Sequence, residues 1–502
     1  MLEYILYAVG GFVALCIGLV MYSLVPNPMG YFRMRRVFNT KLQEYLKVPL
    51  WRPMDGSFHE MQTDLIGFFK RQLDYGNLFG VIPLWYVFDP NLILTKPEDM
   101  KQVLFGDDLQ YYRDNTCFYV MHMVLGKGII NVGGMEWRNQ HRILYKAFAP
   151  DNLMYFRPAF AARARKMVDT FKAHAQSGEP IDLLKTMNEI TLGVMIDTAF
   201  GNTLSHEEQS EMRHHLMYVI KQTTNFVHQV PLLRYIFADH TQLKRRLGEM
   251  HSLVETSLIR RREGKSFGEV CEVKRHMIDL IIEANHSESE DGYRMSDEVM
   301  RDNMISLMAA GTETTATAMT WTLYFLDKYP EVYRKVREEN MNIDLEHLAE
   351  PGDLTKIVPY LTQVIQESMR MCSPLGNIPG RRPFKDMQVG DLVVPAHVPM
   401  LTFAHQIHHN PQIWDAPEEF RPERFAKDGE ASRDRLRFQP FGTGRRYCLG
   451  KYMAMAEMQV VLSHMVRDLR FEYAGTAEGI TPAFRPPTIQ PRDGMPMHIK
   501  LA

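Results

Sequence analysis

A chain of 502 residues, 45% apolar and 24% charged, has room for two average domains or one large helical unit, and its composition excludes a predominantly disordered protein. With 58 basic against 60 acidic residues the net charge is −2. That gives no basis for nucleic-acid binding, so an electrostatic partner must read a local patch. The five cysteines, Cys16, Cys117, Cys271, Cys372 and Cys448, are odd in number and scattered without a C-x-x-C pair, which fits a reducing compartment.

Residues 4–25 carry no charge and are long enough to span a hydrocarbon core of about 30 Å as a helix. Glu3 precedes the run and Arg33, Arg35, Arg36 and Lys41 follow it, so the pattern is that of an anchor rather than a cleaved signal peptide. The same bias places the bulk of the chain in the cytoplasm. A buried core helix is the competing reading of the run. Residues 1–28 are thus an anchor and hinge, and 29–502 a catalytic domain. Two β-like runs, around 80–87 and 91–95, flank Asp89–Asn91, and Pro97 opens a short helix. Helical periodicity dominates through about 345. Within it Asn285-His286-Ser287 forms a glycosylation acceptor sequence, in a loop read as cytoplasmic and therefore unmodified.

Ser296, followed by Asp297 and Glu298, predicts the cap of a long helix running to about Lys328, with Pro330 beyond its end. Its centre, AAGTETTAT, places Ala310, Gly311, Glu313, Thr314 and neighbouring threonines in an otherwise apolar helix. Packing, with the hydroxyls bonded back to carbonyls four residues earlier, and function are equally good readings of this composition. Glu367 and Arg370 share a helix face; alone the pair reads as a surface salt bridge, or as a buried network if a third partner exists. A β-like section over 387–406 follows, overlapping a stretch with His405, His408 and His409, whose spacing hints at a metal site but lacks a completed ligand shell. Finally FGTGRRYCLG sets Cys448 in an arginine- and glycine-rich loop before an amphipathic helix. The dipole's positive end, with Arg445 and Arg446 nearby, favours a thiolate there, able to act as nucleophile, redox centre or metal ligand. Gly442, Gly444 and Gly450 permit close backbone approach.

Four stretches together resemble the cytochrome P450 family, in the right order over residues 130–470. Phe441, Gly444, Arg446, Cys448 and Gly450 match its haem-binding signature; Ala310 to Thr315 match its oxygen-activation segment; Glu367 and Arg370 match its Glu-x-x-Arg pair; Pro422 to Phe425 supply the third partner, Arg424. The resemblance implies a mainly α fold with small β-sheets, an α+β chain in the cytochrome P450 arrangement, holding haem b between the long central helix and the cysteine loop. It implies Cys448 as axial ligand to the haem iron, Thr314 and Glu313 as catalytic residues, and Gly311 beside Ala310 leaving room for dioxygen. Trp137 with His141 or Arg142, together with Arg381, Arg446 and Arg113, are the implied propionate partners. Here the sequence departs from the commonest family pattern, having histidine rather than arginine four residues after the tryptophan.

The implied reaction is monooxygenation of a lipophilic substrate (fatty acid, sterol, terpenoid or xenobiotic) by O2. The chain has no dinucleotide fingerprint and no iron–sulfur cysteine cluster, so electrons must arrive from outside. The implied donor is NADPH-cytochrome P450 reductase, with cytochrome b5 as a further one, docking near Arg433, Arg435, Arg437, Arg445 and Lys451 at the endoplasmic reticulum membrane. Phe118, Tyr119, Met121 and Met123 are candidate pocket residues. The alternatives are an isomerase or dehydratase acting on a peroxide, and a non-catalytic haem-thiolate sensor.

Overall fold

The computed structural model describes residues 58–502 apart from 87–88, 114–118, 224, 226–227, 229–239, 266, 268–274, 287–291, 435, 477–478 and 486–487. The expected anchor at 4–25 lies outside the described residues, and among those described no helix is long and apolar enough to cross a membrane.

The chain is mainly helical with small sheets. A five-stranded sheet, built from both ends of the helical region, has the order β1 (Val81–Tyr86), β2 (Asp89–Leu94), β5 (Met400–Phe403), β4 (Asn377–Pro383), β3 (Tyr111–Arg113). In the β1–β2 hairpin Tyr86 pairs with Asp89, Trp85 with Pro90 and Leu84 with Asn91, so the Asp–Pro–Asn cluster read from the sequence as the turn lies within β2, whereas β2 and β5 pair in parallel, Leu92 with Met400 and Ile93 with Leu401. A parallel pair needs a long crossover, and here it spans most of the helical region. Met387–Val389 and Leu392–Val394 form a separate two-stranded sheet about Gly390.

Helix α1 (Gly134–Ala147) is followed by α2 (Leu183–Phe200), which lies along α3 (Asp297–Lys328). Helix α3 begins as expected, with the Ser296 hydroxyl accepting from the Val299 N–H at 3.3 Å. Its threonines take the packing role in part: Thr312, Thr314, Thr320 and Thr322 each donate to the carbonyl four residues earlier at 2.7–2.8 Å. A β-branched residue with an internal hydroxyl partner sits in an apolar helix without an unpaired polar group. Helix α4 (Pro359–Met371) and helix α5 (Lys451–Asp468) complete the core around α3. The strands β6 (Pro482–Arg485) and β7 (Thr488–Pro491) form an antiparallel hairpin near the C-terminus.

That hairpin is tied to the centre of the molecule. Trp321 of α3 donates its indole N–H to the Ile489 carbonyl at 3.1 Å, and the Ile489 N–H donates to Pro374 at 2.9 Å. Phe484 and Ile489 are fully buried, so the two strands are fixed through backbone and core contacts at once.

Candidate active site

The loop before α5 is shaped by its glycines. Gly442 and Gly444 have φ of 69° and 74°, and a side chain at Gly444 would collide with the Leu104 carbonyl. These are positions where L-residues pay for the left-handed region, and at 444 also for the overlap. The Cys448 N–H donates back to the Phe441 carbonyl at 2.8 Å, closing the loop and presenting the side chain at the start of α5. Cys448 is exposed only in the sense that it borders an internal cavity of about 370 Å³.

Burial raises the Cys448 thiol above its usual range, against the lowering effect of the Gly450 N–H, the Lys451 charge and the Lys451 N–H. The sequence alone favours a thiolate through the helix dipole and the adjacent arginines. Burial outweighs these, and a coordinated metal would act in the opposite sense, since it deprotonates a thiol outright.

The same cavity is bordered by Ala310, Gly311, Glu313, Thr314 and Thr315 of α3, by Trp137 and His141 of α1, and by Phe441, Arg446 and Gly450. Arg446 lies over the Trp137 ring, 4.4 Å from its centroid, and donates to the Val132 carbonyl at 2.8 Å. The His141 ring lies 4.8 Å from Trp137, and its pKa is lowered by burial and then by the Arg446 charge, which keeps the imidazole neutral. Trp137, His141 and Arg446 thus gather at one stretch of wall, as the family resemblance implies. Arg142 and Arg381 are not among the residues bordering the cavity. Arg381 is buried in β4 and pairs in register with Arg113 of β3; the Arg113 side chain lies outside the described residues.

Gly311 borders the cavity and also lies against α2. A Cβ there would come within 2.7 Å of the Met195 sulfur on α2, so that side chain would have to shift. The neighbouring Thr191 hydroxyl donates across the same contact to the Thr312 carbonyl at 2.9 Å. Thr314 keeps its hydroxyl at the cavity while donating to Ala310 at 2.8 Å.

Glu313 has partners that no local sequence signal indicated. Its Oε1 accepts from the Thr488 hydroxyl at 3.2 Å and from the Gln490 side-chain amide, both on β7. Burial raises its pKa to about 7, the two hydrogen bonds pulling in the opposite direction.

Away from the cavity, Glu367 and Arg370 form a bidentate pair at 2.8 and 2.9 Å, and Arg424 completes the set at 3.4 Å. Glu367 also accepts the Arg421 N–H at 2.8 Å, while Arg370 donates to the His408 and Glu419 carbonyls. The surface-bridge reading therefore gives way to a buried network. His408 accepts from the Gln439 N–H at 3.0 Å and His409 bonds the Met371 carbonyl at 2.9 Å. Among the described residues no group of histidines, cysteines or carboxylates is arranged to hold a metal ion.

Of the basic residues read as a docking patch, Arg433 and Arg445 are exposed, Arg437 pairs with Glu430 at 3.6 Å, and Arg435 lies outside the described residues. Met121 borders the cavity; Phe118 and the Tyr119 side chain lie outside the described residues. Asn285 is buried, its amide donating to the Met295 carbonyl at 3.0 Å and accepting the Met295 N–H at 2.7 Å, while Ser287 of the acceptor sequence lies outside the described residues.

A family model described as Cytochrome P450 matches residues 47–489. The chain belongs to the cytochrome P450 family. Among curated relatives it is 30% identical to "Cytochrome P450 716A67" of Medicago truncatula, covering 83% of this chain and 80% of the relative. It is 28% identical to "Cytochrome P450 4F12" of Homo sapiens (76% and 75% covered) and 28% identical to the "Ultra-long-chain fatty acid omega-hydroxylase" of Homo sapiens (78% and 76%). As a cytochrome P450 the chain is a haem-thiolate enzyme of the monooxygenase class. The cavity fits that cofactor: a thiol with two backbone N–H groups lowering its pKa borders it, a cluster of indole, imidazole and guanidinium donors lies on the same wall, and most of the remaining lining is apolar.

Proposed function

We propose that this cytochrome P450 is a membrane-anchored monooxygenase that inserts one atom of O2 into a C–H bond of a lipophilic substrate, with electrons from a NADPH-dependent flavin reductase. The observation that carries the reading is the meeting of Cys448, Glu313 and Thr314 around one mainly apolar cavity. Bound haem supplies dioxygen activation and one-electron chemistry.

The chain's own residues supply the rest. Cys448 would hold the iron, and the N–H groups of Gly450 and Lys451 would stabilise the charge on the sulfur. Arg446, neutral His141 and the Trp137 indole N–H offer donors to the cofactor's carboxylates. Glu313 holds a proton near neutral pH, the range in which a general acid works best. The Thr314 hydroxyl can leave the Ala310 carbonyl to bond a water or oxygen in the cavity. Leu125, Ile129, Ile130 and Leu307 line the cavity with apolar surface, which selects hydrocarbon and excludes water. The named activity of the human omega-hydroxylase, with this lining, makes a long acyl chain the first substrate to test.

Residues 4–25 provide the anchor, which places the catalytic domain on the cytoplasmic face of the endoplasmic reticulum. Exposed Arg433 and Arg445 suit an acidic flavin domain. The test is reductase-dependent turnover under isotopically labelled O2 with a panel of fatty acids, sterols and terpenoids. One labelled oxygen in the product and NADPH consumption are expected. Product formed from a peroxide without NADPH or O2 uptake would instead establish an isomerase or dehydratase. A haem-loaded Cys448→Ser that kept the thiolate-type carbonyl spectrum would remove Cys448 as ligand.

A further inference from the structure

The hairpin β6–β7 brings two neutral polar side chains to the central acid. In an extended strand residues i and i+2 face the same side. Thr488 and Gln490 therefore point together towards α3 while Ile489 between them enters the core. Their backbone cannot drift, because Ile489 is bonded on both sides, to Trp321 and to Pro374.

The donor count is closed. Gln490 Nε2 has two hydrogens, one given to Glu313 Oε1 and one to Thr488 Oγ1 at 2.8 Å. Thr488 has a single hydroxyl hydrogen and two acceptors at the same distance, Glu313 Oε1 and the Arg485 carbonyl, each at 3.2 Å. Both bonds to the carboxyl fall on Oε1, and among the described residues Oε2 takes no hydrogen bond. Glu313 itself borders the cavity.

We propose that Thr488 and Gln490 are positioning residues that pin Oε1 of Glu313 and leave Oε2 to carry the proton delivered into the cavity. This deepens the monooxygenase reading and rests on it. With Oε2 protonated, Gln490 bonds the carboxyl C=O and the Thr488 hydroxyl turns to Arg485. When the Oε2–H bond breaks and the proton passes to an oxygen acceptor in the cavity, the hydroxyl turns to the new carboxylate, and water later returns the proton. No buried donor is stranded in either state, which is what allows a buried carboxyl to change charge without disrupting its surroundings.

The groups facing Glu313 are neutral on each packed element. The hairpin presents Thr488, Gln490 and the Arg485 carbonyl, the Arg485 guanidinium being turned to the Arg492 carbonyl, and α2 presents Met195 and Thr191 at this level of α3. The other ionisable groups bordering the cavity are His141, Arg446, Tyr447, Cys448 and Glu457.

The experiment is an infrared pH titration of the protonated-carboxyl C=O band in resting, haem-loaded protein, with the Glu313 band assigned by its loss in Glu313→Gln. Gln490→Leu and Thr488→Val each remove a donor that stabilises the carboxylate, so each should move the midpoint up by about 1 pH unit. The pH profile of coupled turnover should follow by the same amount. Thr488→Ser, which keeps the hydroxyl and loses only the methyl, should restore the wild-type midpoint, whereas a purely packing role would leave it as impaired as valine or worse. A wild-type band that titrates with a midpoint unmoved in both Gln490→Leu and Thr488→Val would overturn the role of the hairpin. Undiminished coupled turnover in Glu313→Gln would overturn the catalytic reading beneath it, and the two results are distinct.

Discussion

Cys448 and Glu457, nine positions apart, both have pKa values raised by burial, but their circumstances differ. The thiol has two N–H groups and Lys451 to offset the burial, and a metal bond would ionise it. Glu457 has no such help: burial alone pushes its carboxyl up to about 8, and its Oε1 has no hydrogen-bond partner. The unfolded carboxyl titrates near 4.3. Above that pH the unfolded state sheds a proton that the folded state retains, so folding is penalised progressively until about pH 8. Glu457→Gln should therefore melt higher than wild type by a margin that grows by roughly 3 kcal/mol from pH 5.5 to pH 8.5; parallel melting curves would contradict it. At Gly444, where positive φ and the Leu104 carbonyl both exclude a Cβ, Gly444→Ala should cost about 2 kcal/mol or more and speed haem loss, followed by the decay of the thiolate-type carbonyl spectrum.

Helix α3 shows which parts of an element local chemistry controls. Its start follows from Ser296 and its end from Pro330, and both were legible because a cap or a proline acts within one turn. Its first turns also carry a clamp that the sequence did not announce. Asn303 Oδ1 accepts the Ile129 N–H at 2.8 Å and its Nδ2 donates to Gln140 at 3.0 Å, while Asp302 accepts the Lys127 N–H at 2.8 Å. These bonds hold residues 126–131, including the cavity residues Ile129 and Ile130, onto the helix. Asn303→Leu leaves the Ile129 N–H and the Gln140 carbonyl oxygen without this buried partner, so a loss of roughly 2 kcal/mol or more is expected. Hydrogen exchange should report it as faster exchange at Ile129 than at residues in the middle of α3; uniform protection would refute the clamp. The hairpin β6–β7 escaped the sequence reading because its prolines and short strands carry little periodic signal, and its place is set by Trp321, Phe484 and Ile489.

Among the described residues one set of buried charges is joined in a network. Glu367, Arg370 and Arg424 are all nearly inaccessible, and Glu367 is shared by both arginines and the Arg421 N–H. Glu367→Gln leaves Arg370 buried without its carboxylate while Arg424 keeps Glu430, a change that costs about 3–5 kcal/mol. The expected result is a protein that folds poorly and retains little haem, read by soluble yield and the haem-to-protein absorbance ratio; wild-type yield and loading would contradict it. The buried histidines shape the acid side of stability. His405 and His408 are held neutral by burial, their pKa values well below the usual range, whereas the unfolded side chains protonate near 6.5. Their contribution is present above pH 6.5 and is lost as pH falls below it.

From sequence alone, the spacing of the cysteine loop, the acid–threonine pair on a capped helix and the Glu-x-x-Arg pair with its distant arginine pointed to the family, its cofactor and its ligand residue. Such signals are read in segments of one loop or one helix turn, where backbone geometry and residue type decide the outcome. Only the tertiary structure decided that Gly311 lies against Met195, that burial outweighs the helix dipole at Cys448, and that Asn285 is enclosed. It alone also joined Glu313 to Gln490 across 177 positions of chain. The physical reason is the same in each case: burial and hydrogen-bond partners belong to the packed surroundings of a side chain, and those surroundings are built from segments remote in sequence.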